Sequence, residues 1–153
     1  MEKALNNSSS LTYSSLSSFS SSSLRNLLVS EKTNNGSQFT IRSKDSGKDF
    51  TYSISRHIFN GKWYTTVYVE KEYMNFVKLG IYFNGKIFNK KSVVETTSAK
   101  TIAWVLERVE AERFSFLDEK IEFLHLGKCI LCGRTLTDSV SILHGLGSHC
   151  RNK

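Results

Sequence analysis

The stretch FTYSISRHIFNGKWYTTVYV, residues 50–69, decides the fold of this chain. Apolar or β-branched side chains occupy alternate positions on both sides of Asn60-Gly61: Phe50, Tyr52 and Ile54 before it, and Trp63, Thr65, Val67 and Val69 after it. Successive side chains of a strand point to opposite faces, so this alternation predicts two strands that each bury one face. Asn-Gly favours a two-residue turn because both residues adopt positive φ. The stretch therefore predicts a β-hairpin.

The same period of two continues on either side of this hairpin, up to a second Asn-Gly pair at residues 84–85. The alternating residues are Phe39 and Ile41 before the hairpin, and Val77, Leu79, Ile81 and Phe83 after it. Four or five strands joined by tight turns predict an antiparallel sheet. One further strand is expected within Phe114–Leu126, at Ile121 and Phe123.

A helix is predicted to follow these strands. Its apolar residues recur at helical spacing after a capping residue at Thr97 or Ser98, and they are Ile102, Val105, Leu106 and Val109. A helix that follows such a sheet packs across one of its faces. The predicted fold class is α+β, with an antiparallel β-sheet and one packed helix, followed by a small C-terminal module that carries the cysteines.

The composition divides the chain into three parts. Residues 1–37 are rich in serine and poor in apolar side chains, which predicts a disordered tail because little burial offsets the entropy of ordering. A short helix over Leu24–Val29 that docks on a partner is an alternative, and so is a transit peptide, which the shortage of basic residues disfavours. Residues 38–120 hold the predicted sheet and helix, and residues 121–153 hold the cysteines.

The three cysteines of the chain, Cys129, Cys132 and Cys150, predict a structural zinc site. Cys-x-x-Cys-Gly is the spacing of a zinc knuckle, in which a tight turn points two sulfurs at one ion, and Cys150 adds a third. The odd number of cysteines and the absence of a secretory signal favour metal binding in a reducing compartment over disulfides. Three unrelated buried cysteines and a redox pair are the alternatives, but the spacing disfavours the first, and no thioredoxin-like βαβ pattern supports the second.

Zinc takes four ligands, and three histidines are candidates for the fourth. His125, four residues before Cys129, is favoured. His144 lies six residues before Cys150, and His149 is adjacent to it, where neighbouring ligands strain the geometry. The predicted ligands are Cys129, Cys132, Cys150 and His125, with His144 and His149 left open.

The C-terminal segment also resembles a known family. Residues 127–141 read GKCILCGRTLTDSVS and are followed by Gly145-Leu-Gly147 and Cys150. This resembles the C-x-x-C-G-R-x-L-T knuckle and the G-x-G-P-x-C end of a family of uncharacterised bacteriophage and prophage proteins, with a looser likeness back to about residue 38. Ser148 stands where that family has proline. The resemblance implies a phage or mobile-element origin and a zinc knuckle, and it brings no established activity.

Basic charge is concentrated on the predicted strands. The chain carries a formal net charge of +7, and residues 38–92 contain ten Lys or Arg against four Asp or Glu. A basic sheet with exposed aromatic rings binds single-stranded nucleic acid through phosphates and stacked bases. The residues predicted to contact it are Lys62, Lys78, Lys86, Arg134 and Arg151. The alternative is a half-buried sheet whose rings pack inside and whose lysines only face water.

The chain carries no G-x-S-x-G, H-E-x-x-H, P-loop or dinucleotide motif, so a non-enzymatic role is expected. It has no apolar run of about 20 residues, so no membrane span is expected. A cytoplasmic location is expected, in the host cell if a phage encodes the protein. The leading hypothesis is a zinc-binding, phage-type accessory protein that binds nucleic acid. The alternative is a protein–protein module, such as a host-factor inhibitor or an assembly component, in which zinc is purely structural.

Overall fold

A seven-stranded antiparallel sheet forms the centre of the protein in the computed structural model, which describes residues 16–31, 33 and 38–151. The strands are β1 (Ser17–Phe19), β2 (Gln38–Ser43), β3 (Asp49–Phe59), β4 (Lys62–Glu72), β5 (Asn75–Phe83), β6 (Lys86–Phe88) and β7 (Ile121–His125). Their order across the sheet is β1-β7-β2-β3-β4-β5-β6. The expected meander is confirmed as β2 to β6, and both Asn-Gly pairs form its turns.

The described residues also form several helices, so the prediction of one packed helix was too low. They are α1 (Arg25–Val29), α2 (Lys91–Val94), α3 (Thr97–Glu110), α4 (Phe114–Lys120), α5 (Ser139–His144) and α6 (Ser148–Arg151), with a 3-10 helix at Ser21–Leu24. The long predicted helix is confirmed as α3, whose N-terminus is capped by the hydroxyl of Thr96, one residue before the expected cap. Its predicted apolar residues are all buried.

The apolar core lies on one face of the sheet. Alternation along the strands places Phe39, Ile41, Tyr52, Ile54, Val67 and Val69 on this face, and all are buried. Helix α3 covers them, and the hydroxyl of Tyr52 donates to the carbonyl oxygen of Ser98 at 2.7 Å. We call this side of the sheet the covered face, and the other side the open face.

The serine-rich segment is folded over residues 16–31, which differs from the disordered tail predicted for residues 1–37. Strand β1 pairs with β7, and Leu24 and Leu27 are completely buried. The carboxylate of Asp118 accepts hydrogen bonds from the hydroxyl of Ser20 (2.9 Å) and the backbone N–H of Ser21 (2.8 Å). Small serines thus pack tightly with their polar groups satisfied. The rest of the predicted tail, residues 1–15, 32 and 34–37, lies outside the described residues.

The expected strand near Ile121 is present as β7, and it links the C-terminal part of the chain to the sheet. It lies between β1 and β2, so a boundary between residues 120 and 121 would cut one sheet. The following residues 126–151, the cysteine segment, bury four apolar side chains in the same core, namely Ile130, Leu131, Leu136 and Leu146. No helix within the described ranges combines the length and the apolar character that a membrane crossing requires.

Candidate functional site

The Cys129–Cys132 turn is shaped by backbone hydrogen bonds. The N–H of Cys129 donates to the carbonyl oxygen of Arg134 at 2.8 Å. The N–H of Gly133 donates to the carbonyl oxygen of Cys129 at 2.9 Å. Gly133 has a φ of 81°, which glycine adopts without a steric penalty. The N–H of Cys132 points at the sulfur of Cys129 at 3.5 Å. The turn therefore aims its N–H groups at a sulfur, as a knuckle that holds a metal thiolate requires.

The third cysteine reaches this turn from α6. A turn at Gly147 begins the helix, with the N–H groups of Cys150 and Arg151 donating to the Gly147 carbonyl oxygen at 3.0 and 2.9 Å. The amide of Asn26 donates to the carbonyl oxygen of Cys150 at 3.2 Å, so α1 helps to hold the helix. The sulfurs of the three cysteines all lie within 4.8 Å of one another. Three thiolates around a tetrahedral zinc ion stand about 3.8 Å apart, so this group could hold a metal ion with a small contraction.

The electrostatics of the cysteine group also suit a cation. Burial opposes ionisation of Cys129, but N–H groups of Cys132, Gly147 and Leu131 outweigh it and hold the pKa of this thiol below its usual value. Burial and then the neighbouring Cys129 raise the pKa of Cys150 to about 12. Like charges at this separation resist ionising together. A bound cation would neutralise them and stabilise all three thiolates.

His125 does not join the cysteine group in the structure, although the sequence favoured it as the fourth ligand. Its ring is almost completely buried, and both nitrogens are engaged by the backbone. Nδ1 accepts from the N–H of Gly127 at 2.9 Å, which leaves Nε2 to donate to the carbonyl oxygen of Ile142 at 2.7 Å. The histidine thus ties β7 to α5, and its placement accounts for its burial without a metal.

The two other histidines differ in position. His144 is exposed at the end of α5. His149 is also exposed, and it lines a cleft of about 390 Å³ together with Cys132 and Cys150. Neither ring lies within the group of three sulfurs, as judged over the described residues. His149 is nevertheless the histidine that shares a cleft with the sulfurs.

The open face carries three of the five predicted basic contacts. Register places Lys62 and Lys86 on this face at the end formed by the two Asn-Gly turns, opposite Phe59 and Phe83 respectively. Lys78 pairs with Tyr68, which lies six residues from Lys62 along β4, or about 20 Å at the rise of a strand. All three lysines are exposed. They are therefore spread along one surface.

Exposed phenylalanines accompany these lysines, and the sequence pattern did not predict their exposure. Phe59, Phe83 and Phe88 are 62%, 67% and 58% exposed. On the same face, His57 and Tyr64 stack with ring centroids 5.8 Å apart. The period of two placed Phe83 on the same face as Val77. An irregularity in the pairing of β5 with β4, opposite Val67 and Tyr68, instead turns Phe83 to the open face. Acidic residues share the face as well: Glu122 is paired with Arg42 at 2.7 Å.

The remaining two predicted contacts lie in the cysteine segment. Arg151 donates from Nη1 to the hydroxyl of Ser141 and to the carbonyl oxygen of Leu146, both at 2.8 Å. This arginine therefore helps to fold the segment. Arg134 is exposed and lines the cleft beside Cys132. The structure does not place these two arginines among the strand residues that carry the lysines.

One known family matches a part of the chain that includes the whole cysteine segment. Residues 122–153 match DUF6011, which is described as a family of unknown function. No curated protein matches the chain. No solved structure matches it either.

Proposed function

We propose that this is a phage-type accessory protein that binds single-stranded nucleic acid on the open face of its sheet and is stabilised by one zinc ion. The observation that carries the proposal is the placement of Lys62, Lys78 and Lys86 on one surface with three exposed phenylalanines. Lysines attract phosphates, and exposed rings stack on bases of any sequence. A role in binding rather than catalysis is part of the proposal.

Zinc suits the cysteine group because thiolates are its preferred ligands and a knuckle turn presents two of them together. We propose that Cys129, Cys132 and Cys150 supply three ligands and that the fourth comes from the cleft side, where His149 lies. The ion would hold the cysteine segment on the sheet. It takes no part in nucleic-acid contact.

Fluorescence anisotropy of the full chain with labelled oligonucleotides tests the nucleic-acid proposal. A length of about 16 nucleotides suffices, because it is the upper site size of single-strand-binding domains. Single-stranded DNA and RNA should bind more tightly than duplex DNA. Each of the substitutions Lys62→Ala, Lys78→Ala and Lys86→Ala should reduce the slope of log Kobs against log salt by about 0.7. Phe83→Ala should weaken binding by about 1–3 kcal/mol through loss of stacking.

Lys100→Ala is the matched control, because Lys100 is an exposed lysine on α3 and lies away from the open face. It should leave both affinity and salt slope unchanged. The proposal fails if no oligonucleotide binds near physiological salt, or if Lys100→Ala and Lys86→Ala reduce binding equally.

A protein partner is the second candidate, and exposed apolar side chains on α5 favour it. Val140 and Leu143 are 51% and 65% exposed on this short helix beside the cysteine group. Co-purification from a host lysate after nuclease treatment discriminates between the two functions. A stoichiometric protein that is lost with Leu143→Ser would favour this candidate over nucleic acid.

A further inference from the structure

A second cleft, of about 530 Å³, lies at the end of the sheet where the two Asn-Gly turns meet. It is distinct from the cleft beside the cysteines. Its polar and aromatic lining includes Arg56, Lys62, Trp63, Tyr82, Asn84 and Glu110. Since Lys62 and Phe83 also belong to the open face, the cleft adjoins that surface at its end.

Arg56 is the unusual residue of this cleft, because an arginine on the covered face is only 7% exposed. Its Nε donates to the carbonyl oxygen of Ser30 at 2.7 Å and its Nη1 to the hydroxyl of Thr65 at 2.9 Å. These two bonds fix the orientation of the guanidinium plane. Arg56 forms none of the ion pairs found between described residues. Burial lowers the pKa of its guanidinium, and the negative charge of Glu31 offsets only part of that effect.

One nitrogen of this guanidinium remains available. Nη2 of Arg56 has no hydrogen-bond partner among the described residues. The buried side-chain nitrogen and oxygen atoms without partners, within the same residues, are Ser98 Oγ and Arg108 Nε. Nη2 of Arg56 is not one of these atoms, and the cleft is the open space that Arg56 lines. An anionic oxygen placed there would accept a charge-assisted hydrogen bond.

The rest of the lining suits a flat ring attached to that anion. Trp63 lies under Arg56, with the guanidinium carbon 5.6 Å from the ring centroid, and Tyr64 also lines the cleft. Lys62 adds a second positive charge. Glu110 is held by the hydroxyl of Tyr82, which donates to it at 2.6 Å. Its carboxylate can accept a further bond from an amino or hydroxyl group of a ligand.

We propose that this cleft binds a nucleotide, with a phosphate oxygen on Nη2 of Arg56 and the base against Trp63. The ligand is either a free mononucleotide or the terminal nucleotide of a strand that lies on the open face. Both carry the same phosphate and ring. The proposal does not require the open face, since a mononucleotide occupies the cleft alone.

NMR of the zinc-loaded full chain provides the test, because the protein contains two tryptophans. The indole N–H of Trp63 reports on the cleft. That of Trp104, which packs under Arg108 at 4.2 Å and lines a different pocket, is the internal control. AMP should shift the Trp63 signal saturably and leave Trp104 in place. Adenosine, which lacks the phosphate, should bind about tenfold more weakly.

Two variants sharpen this titration. Arg56→Lys keeps the positive charge but loses the planar set of guanidinium N–H donors, so it should weaken AMP binding about tenfold. Lys62→Ala, at an exposed position that is expected to leave the fold intact, should weaken it about threefold. If Arg56→Lys fails to fold, the Lys62 variant and the adenosine comparison still decide the matter.

The source of the ligand is tested with oligonucleotides that carry or lack a 5′-phosphate. A Trp63 shift with the phosphorylated strand alone identifies a strand terminus, whereas a shift with AMP alone identifies a free nucleotide. The proposal is overturned if neither moves Trp63 up to about 10 mM, which saturates even a millimolar site. Equal shifts of Trp63 and Trp104 would also overturn it. Strand binding without a Trp63 shift would leave the open-face proposal standing and remove this one.

Discussion

The sheet and the cysteine segment share one apolar core, but they achieve their order by different means. The sheet is held by long strands and by side chains such as Ile54 and Val67, which are completely buried against α3. The cysteine segment, residues 126–151, contains helices of only six and four residues and contributes few apolar side chains. Helices this short are not stable by themselves in water. The difference is the reason for our proposal that metal coordination supplies in the cysteine segment what apolar burial supplies in the sheet.

The largest effect is expected from loss of a cysteine, which should unfold the cysteine segment and leave the sheet folded. Cys132 is exposed, so Cys132→Ser removes a proposed ligand without changing the core. Structural zinc provides roughly 10–16 kcal/mol of apparent binding energy in small modules, so losing it should unfold the segment. Hydrogen exchange should show lost protection at Ile130 and Leu136 and retained protection at Val67.

Ser148→Ala is the control for this experiment, since Ser148 is exposed in the same segment and is not a candidate ligand. Elemental analysis should find one zinc ion per chain in the Ser148→Ala protein. Stoichiometric zinc in the Cys132→Ser protein, or unchanged exchange at Ile130, would contradict the role of the metal.

A core substitution should affect both regions together. Ile54 is completely buried on β3, and Ile54→Ala should lower the free energy of unfolding by about 4 kcal/mol. Urea titrations followed by circular dichroism and by zinc release to a chromogenic chelator should shift in parallel, because the segment packs on the sheet. Ile58→Ala, on the same strand and 52% exposed, should change the free energy by less than about 0.5 kcal/mol. If Ile54→Ala left the urea midpoint of zinc release unchanged, the two regions would be independent domains.

His125 lies at the contact between the two regions and separates a structural role from ligation. In His125→Phe the N–H of Gly127 and the carbonyl oxygen of Ile142 lose their partners. Stability should fall by about 2 kcal/mol, the cost of leaving buried polar groups unsatisfied, while one zinc ion stays bound. His144→Ala, at an exposed position, should leave stability and zinc content unchanged. A folded His125→Phe protein without zinc would identify His125 as a ligand.

The smallest effect comes from a matched pair of glycines. Gly61 in the β3–β4 turn and Gly133 in the knuckle have φ values of 75° and 81°, and an added Cβ would meet nothing within 4 Å at either. Alanine at each should therefore cost about 1 kcal/mol of backbone strain. Gly61→Ala should lower the free energy of unfolding of the sheet, whereas Gly133→Ala should lower zinc affinity about fivefold. Calorimetry and competitive chelation measure the two effects, and equal loss of zinc affinity in both variants would refute the distinction.

The sequence by itself determined the features that depend on local pattern. Alternation between Phe39 and Phe83, with Asn-Gly at residues 60–61 and 84–85, fixed the β-meander because strand period and turn chemistry are properties of neighbouring residues. Helical spacing fixed α3 in the same way. The Cys-x-x-Cys-Gly spacing indicated that two sulfurs would meet, since a tight turn alone brings them together.

Only the tertiary structure decided what depends on distant partners. Residues 16–31 are ordered because β1 pairs with β7, which lies more than 100 residues away in the sequence, and because Asp118 accepts hydrogen bonds from Ser20 and Ser21. The approach of Cys150 to Cys129, the engagement of His125 by the backbone and the exposure of Phe83 follow from packing in the same way. Such contacts join residues that sequence spacing does not relate, so local pattern carries no signal for them.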